Sequence, residues 1–260
     1  MHTYHVNGVR LACEVQGDGR PILYVHGFPL SGRMWHPILP LMSDAGKLIV
    51  PDLRGFGASE ATADAEMADY ADDLAALLAA LGEKRPAVVV GLSMGGYIAF
   101  EFHRRHRGSV AALVLADTRA EGDTAESAKA RLESAEKVLK EGSRIVSDAM
   151  VEKLFAPAAA ARTKEEWRTI MAEASPIGVA AALRAMSRRT DFRPLLADIR
   201  VPTQIVVGAA DSITPVVGSR RMHEAIPGSR LEIIPDAGHM TPVEQPQAFA
   251  RAVREFIGAL

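Results

Sequence analysis

The pentapeptide Gly91-Leu92-Ser93-Met94-Gly95 sets a serine between two glycines where the apolar run Ala87–Val90 gives way to a helix-forming stretch that begins near Met94. A strand-to-helix turn this sharp needs glycines beside the serine, because larger side chains would collide there. It strains the Ser93 backbone and exposes its hydroxyl above a helix N-terminus, which favours developing negative charge. The chemistry such a hydroxyl could do is nucleophilic attack on a carbonyl, and that requires a base to take its proton. His239 meets the requirement: it follows the apolar run Leu231–Ile234 through Pro235-Asp236-Ala237-Gly238, and Gly238 leaves room for the imidazole. The other histidines suit the role less well. His2 and His5 precede the core, His103, His106 and His223 are expected to face solvent from helices, His36 to begin a helix, and His26 to hydrogen-bond its own loop. A carboxylate must then fix the tautomer of the base. Asp211, in Gly208-Ala209-Ala210-Asp211 directly after the run Gln204–Val207, is the first choice, and Asp117, at the end of the run Val110–Ala116, is its rival. A tetrahedral oxyanion needs oriented N–H donors. The amide of Met94 supplies one, and the amide of Phe28 in His26-Gly27-Phe28-Pro29 is assigned as the second, since Pro29 has no N–H to give.

Elements that could place these residues along one edge are visible in the pattern of apolar runs. Pro21–Val25, Lys47–Val50, Ala87–Val90, Val110–Ala116, Gln204–Val207 and Leu231–Ile234 are short, rich in Val, Ile and Leu, and bounded by Gly, Pro or Asp. They read as strands of a parallel sheet buried on both faces. Thr3–Val6 and Val9–Val15 flank Asn7-Gly8, a hairpin signal, and make an antiparallel edge. Helices are expected over Met34–Ala45, Ala68–Leu81, Met94–Arg107, Pro215–Ile226 and Pro246–Leu260, and alternation of strand with helix implies right-handed crossovers in a doubly wound sheet. Between Thr118 and Thr190 the strand rhythm stops and Ala, Glu, Lys, Arg and Met dominate. That stretch is expected to be a helical cap over the carboxyl-end crevice where such sheets bind ligands. The predicted organisation is a core of residues 1–117 and 191–260 with a cap of residues 118–190.

Composition narrows the partners. Thirty basic residues stand against 32 acidic ones with no long block of either sign. This disfavours nucleic acid or a membrane surface and favours a small-molecule substrate. The one cysteine, Cys13, cannot form an internal disulfide, lies in an alternating strand pattern, and supports no zinc site. No apolar run approaches a membrane span, and Met1 to Val15 is too polar for a signal peptide, so a soluble, cytoplasmic protein that needs neither metal nor organic cofactor is expected.

With these residues in place the chain resembles the α/β-hydrolase superfamily over nearly its whole length. The resemblance runs through His26-Gly27-Phe28-Pro29, Pro51-Asp52-Leu53-Arg54-Gly55-Phe56-Gly57-Ala58-Ser59, Gly91 to Gly96, Gly208 to Asp211 and Ala237-Gly238-His239. Within the superfamily it is most similar to small capped bacterial carboxylesterases and the related 3-oxoadipate enol-lactonases. Leu115-Ala116-Asp117-Thr118-Arg119-Ala120 and Glu244-Gln245-Pro246 strengthen the carboxylesterase comparison. The resemblance implies an eight-stranded, mostly parallel α/β-hydrolase sheet and hydrolysis of short- to medium-chain esters through an acyl-enzyme on Ser93. A serine at 93 speaks against haloalkane dehalogenase and epoxide hydrolase chemistry, in which a carboxylate attacks. Pocket walls are expected from Phe28, Trp35, Met94, Met150, Phe155, Met186 and Met240. The same three residues would also serve an enol-lactone or carbon–carbon bond hydrolase, with Arg54, Arg119, Arg162, Arg184 or Arg188 binding a substrate carboxylate. From a different class, a non-catalytic ligand receptor could use the same scaffold.

Overall fold

The computed structural model describes residues 1–260. Its sheet has eight strands: β1 (His2–Val6), β2 (Val9–Gln16), β3 (Pro21–Val25), β4 (Lys47–Pro51), β5 (Ala87–Leu92), β6 (Val110–Ala116), β7 (Thr203–Gly208) and β8 (Arg230–Ile234). They lie in the order β1-β2-β4-β3-β5-β6-β7-β8. β1 and β2 form the hairpin foreseen at Asn7-Gly8, whose positive φ values of 46° and 78° suit its tight turn. β2 runs antiparallel to β4, and every later pairing is parallel.

Successive strand side chains point to opposite faces, and both faces are covered. Leu23, Val25 and Val89 join one apolar core with α1 (Met67–Ala80) and α2 (Met94–Arg105). Ile22, Tyr24, Val88 and Val90 join the other, with Trp35, Phe249 and Val253. Cys13 is fully buried, and burial pushes its thiol up to about 12, which makes it inert. β8 departs from the expectation of a strand buried on both faces. As the last strand of the sheet it alternates, with Arg230 and Glu232 exposed.

Met34–Ala45 is not one helix. Two 3-10 turns, Gly32–Trp35 and Leu39–Met42, stand in its place. Pro37 and Pro40 lack the amide donors that a continuous helix would need, which accounts for the break.

Between β6 and β7 the chain forms α3 (Ala125–Glu141), α4 (Arg144–Leu154), α5 (Ala161–Ala172) and α6 (Pro176–Ser187). α7 (Val216–Ala225), the short α8 (Thr241–Glu244) and α9 (Pro246–Gly258) complete the fold. The inserted helices are seated on the sheet domain by backbone contact and by ion pairs. A Cβ on Gly178 would lie 2.0 Å from the Gly55 carbonyl oxygen, so the two glycines permit close approach. Arg188 pairs with Asp64 at 3.0 Å and with Glu66 at 2.7 Å. No helix is long and apolar enough to cross a membrane.

Candidate active site

Ser93 sits between β5 and α2 with φ 55° and ψ −114°, a conformation that costs energy for any residue with a side chain. The surroundings enforce it. The Ser93 amide donates to the Ala116 carbonyl at 2.9 Å, and the Thr118 hydroxyl donates to the Ser93 carbonyl at 2.7 Å. The flanking glycines are needed for space: a Cβ on Gly91 would lie 2.3 Å from the Gly95 carbonyl, and one on Gly95 would lie 2.1 Å from the Val25 carbonyl.

The His26–Pro29 loop lies against this turn, since a Cβ placed on Gly27 would come 3.4 Å from Cβ of Ser93. His26 holds the loop. Leu53 N–H donates to its Nε2 at 3.0 Å, which assigns the ring proton to Nδ1 and makes it the donor to the Gly27 carbonyl at 2.9 Å. Burial lowers the pKa of His26, against smaller opposing contributions from the Gly27 carbonyl and Asp52, so the neutral ring fits its two hydrogen bonds. Phe28, 5 % exposed, stands edge-on to Phe56 beside it. Met94 begins α2 and is fully buried.

His239 follows β8, and Asp211 follows β7. Nδ1 of His239 lies 2.8 Å from Oδ2 of Asp211, with both side chains almost wholly removed from solvent. Asp211 is itself fixed: its Oδ1 accepts the amides of Ile213 and Thr214, each at 2.8 Å, and its Oδ2 accepts the Thr214 hydroxyl. Burial opposes its charge, but the hydrogen bonds of His239 and Thr214 prevail and hold Asp211 below the usual carboxylate value. Hydrogen bonding of the His239 ring runs through Nδ1, which places a proton there and leaves the lone pair on Nε2. Asp117, the rival acid, is occupied elsewhere. Its oxygens accept the Gly208 amide at 2.9 Å and the Thr241 hydroxyl, and burial together with the charge of Asp211 raises its pKa well above the ordinary value.

Of the expected pocket residues, Met150 lines an open cavity of about 490 Å³ beside α3 and α4, with Phe28, Val146 and Leu183, and Lys137 and Glu141 also border it. Trp35 packs between Tyr24 and Phe249 in the core, because the turn that carries it lies against β3, β4 and α8, with Phe249 of α9 beside its ring. Phe155, Met186 and Met240 are likewise buried at 3 %, 2 % and 0 % exposure, and none of them lines that cavity.

Four of the five candidate arginines have partners of their own. Arg54 makes a bidentate pair with Asp73 at 2.6 and 2.7 Å, Arg119 donates to the Ile213 carbonyl, and Arg184 pairs with Glu136. Arg188 is held by Asp64 and Glu66, and Arg162 lies exposed at the start of α5.

His103 does not face solvent as its helix position suggested. It is 6 % exposed, because α2 is buried along its whole length from Met94 to His103 between the sheet and α1. His36 ends a 3-10 turn and pairs with Glu14 at 3.0 Å instead of starting a helix. His106 is half-buried against Asp72, whereas His223 is exposed. Thr118, Thr214, Thr241 and the contacts of Glu244 were not foreseen. The Asp-Ser-Ile-Thr spacing at 211–214 could have signalled Thr214, since short polar side chains three apart often close a turn by hydrogen bonding. No group of three His, Cys, Asp or Glu side chains could hold a metal ion.

A serine on a strained turn at the carboxyl edge of a parallel sheet, with an acid–histidine pair delivered by two later loops, is an arrangement able to perform acyl transfer. The chain belongs to the alpha/beta hydrolase fold family, whose model matches residues 20–246. Among solved structures it is similar to a thermophilic esterase from Thermogutta terrifontis with malate bound, at 39% identity and a TM-score of 0.96, covering 99% of this chain and 98% of that one. It is 29% identical over 270 residues to a putative non-heme bromoperoxidase of Mycobacterium tuberculosis, covering 97% of this chain and 99% of the relative. A 3-oxoadipate enol-lactonase of Acinetobacter baylyi is 29% identical over 246 residues, covering 92% of this chain and 88% of the relative. These relationships make the chain a hydrolase with esterases and enol-lactonases among its relatives.

Proposed function

We propose that the protein is a serine carboxylesterase that hydrolyses short- to medium-chain carboxylic esters through an acyl-enzyme on Ser93. The 2.8 Å contact of Asp211 with Nδ1 of His239 is the observation that carries the reading, because it leaves Nε2 as the basic nitrogen. In the proposed cycle Nε2 takes the Ser93 proton as Oγ attacks the ester carbonyl, and the amides of Phe28 and Met94 stabilise the oxyanion. The tetrahedral species collapses, the carbon–oxygen bond to the alcohol breaks, and His239 returns its proton to that alcohol. A water deprotonated by the same nitrogen then attacks the acyl-enzyme, releasing the acid and restoring Ser93. Residues 118–190 act as a cap, and the cavity of about 490 Å³ beside Phe28 receives part of the substrate.

A second reading, hydrolysis of an enol-lactone or a carbon–carbon bond by the same residues, is favoured by the enol-lactonase relative. It calls for a cation to meet the substrate carboxylate, and the internal partners of Arg54, Arg119, Arg184 and Arg188 weigh against it. Hydrolysis of p-nitrophenyl esters from acetate to decanoate, with an enol-lactone alongside, discriminates the two in wild type and Ser93→Ala. Fast cleavage of the shorter esters, reduced in the variant by about 10⁴-fold or more, is the expected result. Weak ester cleavage with fast lactone opening would move the assignment to the lactonase, and no turnover of either class would leave a binding protein.

A further inference from the structure

Glu244 takes no part in the proposed cycle, yet its half-buried carboxylate meets three backbone amides. Oε1 accepts from Gly238 at 2.8 Å and from Met240 at 3.3 Å, the residues on either side of His239. Oε2 accepts at 2.7 Å from Ala156, just beyond the end of α4 in the inserted helices. The amide of His239 donates across the same seam to the Leu154 carbonyl at 2.8 Å. Gly238 lies so close to this segment that a Cβ on it would sit 2.5 Å from the Ala156 nitrogen and 2.7 Å from the Phe155 carbonyl carbon. Three consecutive amides around the histidine are therefore tied down, two by Glu244 and one by the insertion itself.

A carboxylate suits this place because both of its oxygens only accept; an amide side chain would turn an NH₂ group toward an N–H donor. Burial and the nearby charge of Asp211 raise the pKa of Glu244, while the three amide hydrogen bonds work in the opposite direction.

We infer that Glu244 is a positioning residue for His239, clamping the histidine loop to Leu154–Ala156 so that the ring and the inserted helices are seated together. The inference rests on the esterase reading above. Its consequence is that the end of α4 cannot move away from the histidine loop without disturbing the base.

The test is Glu244→Gln assayed with p-nitrophenyl butyrate well below its melting temperature, beside Ser93→Ala, Gly238→Ala and Arg188→Ala. If the clamp positions the ring, Glu244→Gln lowers kcat by about tenfold to a hundredfold, the cost of a small misplacement, while KM moves by less than about threefold. Gly238→Ala, which forces the same seam apart with Glu244 intact, should reproduce the loss of kcat at a steady KM and stands in if Glu244→Gln fails to fold. Arg188→Ala, which loosens the insertion far from the seam, should lower Tm and leave kcat and KM unchanged. Wild-type kcat in both seam variants, with Ser93→Ala inactive, would overturn the clamp and leave the esterase reading standing. Wild-type hydrolysis by Ser93→Ala would instead bring down the reading on which the clamp rests.

Discussion

Asp211 and Asp117 follow adjacent strands, β7 and β6, and only Asp211 reaches the ring of His239, at 2.8 Å from Nδ1. Asp117 lies in the seam between the two loops, where its oxygens take the Gly208 amide and the Thr241 hydroxyl. The neighbouring carboxylates have opposite electrostatic fates. Asp211 is held charged by a ring nitrogen, a hydroxyl and two amides, whereas burial and the charge of Asp211 press Asp117 toward its neutral form.

Replacing each acid by its amide separates the roles. Asp211→Asn should lower kcat for a short ester by about 10²- to 10⁴-fold through loss of the favoured tautomer, with KM little changed. Asp117→Asn should keep kcat within about tenfold of wild type, as expected for a residue outside the proton path. A carboxylic acid whose folded pKa is raised binds more protons folded than unfolded, so its contribution to stability declines as pH rises from the ordinary carboxylate value to the raised one. Melting temperatures should accordingly show Asp117→Asn gaining on wild type as pH rises above the ordinary carboxylate value.

His26 carries the reverse dependence. Its folded pKa lies below 6.5, so the unfolded chain binds the extra proton, and its contribution is present above that value and fades as pH falls below it. Wild-type Tm should drop between about pH 7 and pH 5, and His26→Gln should flatten that slope. His26→Ala, which orphans the buried Leu53 amide, should cost about 1–3 kcal/mol in denaturant unfolding and slow ester hydrolysis by disturbing the loop that holds Phe28.

Gly178→Ala tests the seat of the inserted helices. The new methyl group would meet the Gly55 carbonyl oxygen at 2.0 Å and the Gly55 Cα at 2.5 Å, with backbone on both sides and no flexible side chain to yield. Overpacking of this kind costs about 1–3 kcal/mol, and the variant should melt several degrees lower. Limited proteolysis should cut within 118–190 sooner than in wild type, whereas a variant as resistant as the parent would mean that the helices are seated by other contacts.

Chain-length preference should respond to Met150. An indole in its place would fill part of the cavity of about 490 Å³ beside Phe28. With Met150→Trp, kcat/KM for p-nitrophenyl octanoate should fall at least about tenfold relative to acetate. An unchanged ratio would show that the acyl chain lies elsewhere.

Much of the fold was legible because its signals are local. The strand runs, the Asn7-Gly8 hairpin, the interruption after Asp117 and the glycines around Ser93 each reside in consecutive residues, where side-chain shape and backbone freedom act directly. The break at Met34–Ala45 is also written locally, in Pro37 and Pro40. His103 and Trp35 misled because helical position and residue type do not reveal what packs around an element; the helix that carries the first is buried between the sheet and α1, and Tyr24 and Phe249 enclose the second.

The sequence by itself determined the nucleophile candidate, the sheet that would bear it and the helical insertion, since propensity and spacing along one stretch of chain suffice for each. Only the tertiary structure decided which carboxylate meets His239, which residues the 490 Å³ cavity gathers, and what Glu244 holds. The contacts of Asp211 with His239, of Ala156 with Glu244 and of Asp117 with Thr241 join residues 28, 88 and 124 apart, and their geometry depends on strand register and on loops meeting in space, which no local pattern encodes.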